Sequence, residues 1–118
     1  MDGLQELYAK RDELEGLLVD GLEESRRAGI KYAENNAEYR KAKRIEVLNE
    51  RRKGTPATLI RDIVQGIEYV ADLKQSCDAA MTVYEAAQES INVNKIRLRA
   101  VEADIQRIWN SGGMNYGQ

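Results

Sequence analysis

The second half of the chain carries apolar residues at alternating spacings of three and four positions. This seam consists of Leu59, Ile63, Gly66, Val70, Leu73, Cys77, Ala80, Tyr84, Ala87, Ile91, Asn94, Leu98, Val101, Ile105 and Ile108. Only Gly66 and Asn94 interrupt its apolar character, and such spacing is typical of a helix that packs along another helix. The pattern predicts one helix over about residues 56–109, roughly 80 Å long at about 1.5 Å per residue.

The first half of the chain has a less regular apolar stripe. It runs through Leu4, Leu7, Leu14, Leu18, Leu22, Ser25, Ala28 or Gly29, Tyr32 and Tyr39 towards Ile45 and Leu48. Three glycines, at positions 16, 21 and 29, each cost about 1 kcal/mol of helix propensity relative to alanine unless they allow close backbone approach. We predict a helix over about residues 4–52, with a break near Gly29 or Asn35 as the open alternative.

The sequence Lys53-Gly54-Thr55-Pro56 separates the two helical patterns. Gly54 suits the left-handed conformation that ends a helix, the Thr55 hydroxyl can cap the next helix, and Pro56 fits a first helical position. These residues predict a turn over 53–55. They also give the basic residues before the turn a structural role, because cations stabilise a helix C-terminus.

Two helices joined by this turn form an all-α, coiled-coil-like antiparallel helical hairpin. Residues whose numbers sum to about 109 then face each other, and we predict a single helical domain over 1–110 followed by a flexible C-terminal tail, 111–118, rich in glycine and polar residues. Side chains beside the seam, such as Met81 and Trp109, stay partly exposed, so we expect assembly into a helical-bundle oligomer. Asn94 is the polar seam position that can set the oligomer register.

Composition argues against an active site. The 118 residues include 18 basic and 20 acidic side chains, one cysteine and no histidine, so a Cys/His zinc site is impossible. Cys77 has no partner for an internal disulfide, and no basic side chain lies at the neighbouring seam positions of its helix to activate the thiol. Both points indicate a packing role. The sequence also lacks a glycine-rich phosphate loop and a nucleophile with a base. We predict no catalytic residue, metal or cofactor, and a protein that is not an enzyme.

Positive charge is concentrated before the turn. Residues 39–53 hold seven basic and two acidic side chains, a net of +5 in a chain whose net charge is -2. The candidate contact residues are Arg40, Lys41, Lys43, Arg44, Arg51, Arg52, Lys53 and Arg61. Three readings stay open for this basic island: contact with nucleic-acid phosphates, contact with an acidic protein surface, or a solvated helix end.

A helix-turn-helix is a further alternative at the same place. Thr55–Gly66 would form its first helix and "IEYVADLKQS", residues 67–76, its recognition helix. The seam runs through Gly66 without a change of phase, which argues against a turn there.

The segments Gly54–Trp109 and "YAENNAEYRKA", Tyr32–Ala42, resemble small α-helical proteins of unassigned activity encoded by phages and prophages of Gram-positive bacteria. The resemblance implies a non-enzymatic, phage-encoded module that binds a host or phage protein, for example an anti-CRISPR-like inhibitor of a host defence nuclease complex. An accessory DNA-binding protein of phage replication, recombination or packaging is the alternative, acting through the basic tip. With no stretch near the roughly 20 apolar residues of a membrane span, we predict a cytoplasmic protein of the bacterial host cell.

Overall fold

The structure is a computed structural model that describes residues 3–116, and side chains over residues 3–112. Within this range the chain forms three helices and no strand: α1 at Gly3–Arg52, α2 at Ala57–Gln65 and α3 at Glu68–Tyr116. The predicted all-α antiparallel helical hairpin is therefore confirmed.

The helices pack as two compact units. Unit 1 contains the described parts of Met1–Ser25 and Ala86–Gln118, and unit 2 contains Arg26–Glu85. In unit 2 a core of Ala42, Ile60, Val64 and Val70 joins all three helices, with half-buried side chains around it: Tyr39, Val47, Ile67 and Leu73. The single domain predicted over 1–110 stays a prediction.

Helix α1 continues without interruption past Gly29 and Asn35. A Cβ atom at Gly29 would lie 3.2 Å from Tyr84 Cε1, and one at Gly21 would lie 3.2 Å from Ile91 Cγ1. These two glycines let α3 approach closely, and the packing gained there offsets their weak helix propensity. The first helix is therefore continuous, as predicted, and the alternative of a break near Gly29 or Asn35 is wrong.

The prediction of one helix over 56–109 is wrong, because α2 ends at Gln65 and α3 begins at Glu68. The Gly66 N–H donates to the carbonyl oxygens of Asp62 and Ile63, both at 3.2 Å, and so closes α2. The helix-turn-helix alternative, whose first helix was Thr55–Gly66, placed this boundary correctly. Its short recognition helix is wrong, since α3 continues for 49 residues.

The break also changes which residues of the second half are buried. The side chains of Ile60 and Val64 are buried, while the predicted seam residues Leu59 and Ile63 are 50% and 42% exposed. Every seam position from Val70 to Ile105 is buried or half-buried, as predicted. Beyond it, Ile108 is 42% exposed. The interruption at Gly66 shifts the buried positions of α2 by one residue relative to the seam.

Three members of the stripe predicted on α1 are exposed. Leu22, Ile45 and Leu48 are 59%, 56% and 37% exposed, whereas Gly21 and Ala42 are buried. The buried positions of α1 keep the spacing of three and four, but several of them are small residues such as Gly21 and Ala42. Another helix packs so closely at these positions that a leucine would not fit. The other members of the predicted stripe are buried or half-buried, so the stripe is wrong only at these three positions.

The residues of α1 and α3 that face each other have numbers whose sum is higher than the 109 of the predicted pairing rule. In unit 1 the side chain of Ser25 contacts that of Gln88, four residues beyond the Tyr84 that the rule assigns. In unit 2 Asn35 Nδ2 donates to the Ser76 carbonyl at 3.4 Å. The loop before α2 and the break before α3 both take up residues that the rule had counted as helix.

Helix α3 extends to Tyr116, beyond the predicted helix end at 109 and into the predicted tail 111–118. Each residue added to an existing helix gains one backbone hydrogen bond and avoids the cost of starting a new helix. Polar and glycine residues can therefore extend a helix end. Residues 111–116 are helical here, and the rest of the predicted tail lies outside the described residues.

The turn between α1 and α2 differs from its prediction in two details. Gly54 has the left-handed φ of +82° that was expected. Thr55 does not cap α2, since its hydroxyl donates to Glu50 Oε1 at 3.1 Å. Pro56, with φ −54° and ψ 135°, precedes the first helical residue instead of occupying it.

Candidate functional site

All eight candidate contact residues lie in unit 2: seven belong to the basic island, on α1 and in the turn, and Arg61 is on α2. Three of them, Arg40, Lys43 and Arg44, line one groove along α1. The other five do not line it: Lys41, Arg51, Arg52, Lys53 and Arg61. The structure therefore divides the predicted contact residues into a groove and its surroundings.

The groove has a volume of about 460 Å³ and is open to solvent. Its lining residues are Asn36, Tyr39, Arg40, Lys43, Arg44 and Val47. These positions are separated by three, one, three, one and three residues, so one face of α1 carries them all. Two cationic guanidinium groups and one ammonium group thus surround an aromatic and an aliphatic side chain.

Tyr39 links this groove to the core of unit 2. One part of the side chain packs against the core cluster. Lys43 Nζ lies 5.9 Å from the ring centroid, and Lys74 Nζ, from α3, lies 5.5 Å from it. Both distances are within the range of cation–π attraction. Sequence reasoning missed Lys74, because only the register between α1 and α3 brings it to Tyr39.

Lys74 also binds a carboxylate of its own helix. Its Nζ lies 2.9 Å from Asp78 Oδ1, four residues along the helix. The hydrogen bond to Asp78 raises the pKa of the Lys74 ammonium. Lys74 is therefore a positive but partly neutralised neighbour of the groove.

Arg40 and Arg44 have no such neutralising partner. Neither makes an ion pair with a carboxylate of the described residues. No residue three or four positions from either arginine is acidic, and the two arginines are four positions apart. Like charges at this spacing destabilise a helix by about 0.2–0.5 kcal/mol. Their presence is not explained by the stability of α1.

The remaining basic residues at the end of α1 have structural roles. Lys53 Nζ lies 3.0 Å from Glu50 Oε2, and Thr55 donates to the other oxygen of the same carboxylate. These two hydrogen bonds lower the pKa of Glu50, in that order of effect. Arg51 and Arg52 lie in the last turn of α1, where a cation opposes the partial negative charge of the exposed carbonyls.

The two polar candidates on the seam are both buried. Asn94 is 7% exposed and lies in unit 1. Cys77 is a buried free cysteine in unit 2, with its Sγ 3.8 Å from Asn36 Oδ1. The burial of Cys77 agrees with the packing position predicted for it. The register role of Asn94 stays a prediction.

Several large aliphatic side chains are exposed in pairs three or four positions apart. Val19 and Leu22 are 66% and 59% exposed and belong to unit 1. In unit 2 the exposed pairs are Ile45–Leu48 on α1 and Leu59–Ile63 on α2. The members of each pair lie side by side on one face of their helix.

No group of three or more Cys, Asp or Glu residues between positions 3 and 116 is arranged to hold a metal ion. None of the helices in that range has an apolar stretch long enough to cross a membrane. No protein family, curated protein or solved structure matches the chain, so the resemblance to phage proteins stays a prediction.

Proposed function

We propose that this protein is a non-enzymatic protein–protein interaction module. The observation that carries the proposal is the set of exposed aliphatic pairs Val19–Leu22, Ile45–Leu48 and Leu59–Ile63. Each pair keeps apolar surface in water, which is unfavourable by about 25 cal/mol per Å² of apolar area. A partner that covers these pairs would recover that free energy.

The geometry of the pairs matches a known mode of recognition. Partners that bind a helix in an apolar groove contact it through residues at i, i+3, i+4 and i+7. Ile45 and Leu48 provide such a pair beside the basic island, and charged residues surround it on α1. An apolar centre with a charged rim is typical of interfaces between proteins.

The resemblance to phage and prophage proteins directs the search for the partner. It makes a host defence nuclease complex the first candidate, in the manner of an anti-CRISPR protein, and a phage protein the second. The proposal itself requires only a protein partner that covers apolar helix pairs.

Immobilised protein is incubated with a lysate of the bacterial host, and retained proteins are identified by mass spectrometry. Binding of the identified partner is then measured with purified components for three double variants: Val19→Ser/Leu22→Ser, Ile45→Ser/Leu48→Ser and Leu59→Ser/Ile63→Ser. We expect one of them to weaken binding by at least about tenfold, because a few buried side chains dominate interface energies.

The matched control is Ile30→Ser/Val83→Ser. These two side chains are 48% and 50% exposed but are not members of the helical pairs. The control should bind within about twofold of the wild type, as expected of side chains outside the contact. Equal weakening by the control and by all three paired variants would contradict the proposal, as would undiminished binding by every variant.

A further inference from the structure

We propose that the groove on α1 binds the phosphates of a single-stranded nucleic acid, with a nucleotide placed against Tyr39. The observation behind it is the juxtaposition of Arg40, Lys43 and Arg44 around that ring. This inference does not rest on the proposed function, since the groove and the exposed aliphatic pairs consist of different residues.

The charge of the groove has no structural explanation in unit 2. Arg40 and Arg44 repel each other across one helical turn and have no carboxylate partner among the described residues. Lys53, Arg51 and Arg52 are accounted for by the Glu50 ion pair and by the end of α1. Among the basic residues without such a role, Arg40, Lys43 and Arg44 lie together along the groove, whereas Lys41 and Arg61 do not line it.

Guanidinium groups favour phosphate as the anion. Each presents parallel N–H donors that bind two phosphate oxygens at once. Arg40 and Arg44 are one turn apart, about 6 Å along the helix axis. Lys43 lies between them in sequence and adds a third positive charge on the groove side. Two or three phosphates of one strand could be contacted from this single face.

The interior of the groove favours a nucleotide over a simple anion. Tyr39 and Val47 give the open groove an aromatic and an aliphatic surface. Proteins that bind single strands combine a positive groove with an aromatic side chain that contacts a base. In a duplex the bases are stacked and paired, so they cannot reach Tyr39.

The acidic character of the remaining chain restricts nucleic-acid contact to the basic island. The whole chain has a net charge of -2 while residues 39–53 have a net of +5. Acidic surface elsewhere repels a polyanion, so the strand should be held at the basic island, where we expect the three groove cations to make the phosphate contacts. For a single strand, the logarithm of the affinity falls by about 0.7 per neutralised phosphate for each unit of log salt concentration.

The test uses the full chain and a fluorescent oligothymidylate of about 12 nucleotides, long enough for one site, with binding followed by anisotropy. Three contacts predict a slope of about −2 against log salt concentration, or a roughly 20-fold loss of affinity between about 50 and 200 mM salt. A duplex of equal length should bind more weakly than the single strand.

Arg40→Glu/Arg44→Glu should lower the affinity at low salt by at least about tenfold, since it converts two charge-assisted contacts into repulsions. The matched control, Arg97→Glu/Arg99→Glu, makes the same change of charge on two exposed arginines of unit 1. It should change the affinity by less than about twofold, because a phosphate contact is lost only where one was made. Tyr39→Phe should retain binding.

The thermal unfolding midpoint separates a binding role from a structural one. Arg40→Glu/Arg44→Glu exchanges one like-charge pair for another at the same spacing, so the midpoint of the double variant should stay close to that of the wild type. The inference is overturned by absence of binding at low salt, by equal losses in the two double variants, or by duplex binding as tight as single-strand binding. Displacement of the oligonucleotide by polyglutamate at equal charge concentration would assign the groove to an acidic protein instead.

Discussion

Gly16, Gly21 and Gly29 occupy helical positions of α1 whose surroundings differ. A Cβ atom at Gly16 would meet nothing within 4 Å, whereas one at Gly21 would lie 3.2 Å from Ile91 Cγ1. The same residue type is therefore a weakness of the helix at one position and a condition for close packing at another.

Gly16→Ala should raise the free energy of unfolding by about 0.5–1 kcal/mol, because alanine restricts the unfolded chain and favours helix without touching a neighbour. Gly21→Ala should gain clearly less or lose stability, since Ile91 must move by a few tenths of an ångström. Urea unfolding followed by helical circular dichroism measures both. Equal gains at the two positions would refute the close contact.

Residue size also explains what the sequence could not reveal about α1. Leu22, Ile45 and Leu48 are large apolar members of the predicted stripe, yet they are exposed, whereas Leu14 is buried. The positions in contact are taken by residues such as Gly21 and Ala42. Which of two neighbouring columns is buried depends on the distance to the other helix, and that distance is not encoded in hydropathy along one helix.

At the scale of elements, the turn after α1 is stabilised by one carboxylate. Glu50 accepts hydrogen bonds from Lys53 and Thr55, and these bonds lower the pKa of the Glu50 carboxyl from the ordinary value of 4.5. A lowered folded-state pKa means that the carboxylate contributes stability above the unfolded-state value. That contribution is lost as the pH falls below 4.5 and through the lower folded-state pKa.

Glu50→Gln should consequently be less stable than the wild type near neutral pH, and the difference should shrink as the pH falls below 4.5. Free energies of unfolding from urea titrations at a series of pH values measure this difference. Glu15→Gln, at an exposed position outside the turn, is the control and should show little change of the difference with pH. A Glu50→Gln difference that is constant with pH would show that the turn does not depend on the charge.

The helix boundaries show how far local signals reach. Gly54 was predicted in the left-handed conformation, and its φ of +82° confirms the prediction. At Gly66 the signal was weaker: the helix-turn-helix alternative placed a boundary there, but the φ of −87° is available to any residue and does not require glycine. The apolar positions before Gly66 fit either a seam on Leu59 and Ile63 or one on Ile60 and Val64. Packing against Ala42 and Val70 selected the second.

At the scale of the whole molecule, Asn94 is the seam residue predicted to set the register of an oligomer, and its side chain is buried within a single copy. It is 7% exposed and lies between the buried Ile91 and the half-buried Leu98 on the α3 seam. A buried amide is less favourable than an aliphatic side chain unless it meets another polar group. Such a residue reduces stability but restricts the number of ways in which helices associate.

Asn94→Leu should raise the free energy of unfolding by about 1 kcal/mol and, by loosening the register of α1 against α3 within each copy, broaden the distribution of oligomers. Sedimentation velocity at micromolar concentration compares the wild type, expected as a single oligomeric species, with the variant. Ile96→Leu, a nearby side chain that is 64% exposed, is the control and should change neither property. A wild type that sediments only as a monomer would contradict both the oligomer and the register role.

By itself, the sequence determined the helical class, the position of the turn and the seam from Val70 to Ile105, because helix periodicity and glycine conformation are properties of neighbouring residues. The tertiary structure alone decided the break at Gly66, the contact column of α1 and the meeting of Tyr39 with Lys74. Each of these depends on how closely two helices approach. That distance is set by side chains far apart in the chain, so no local pattern contains it.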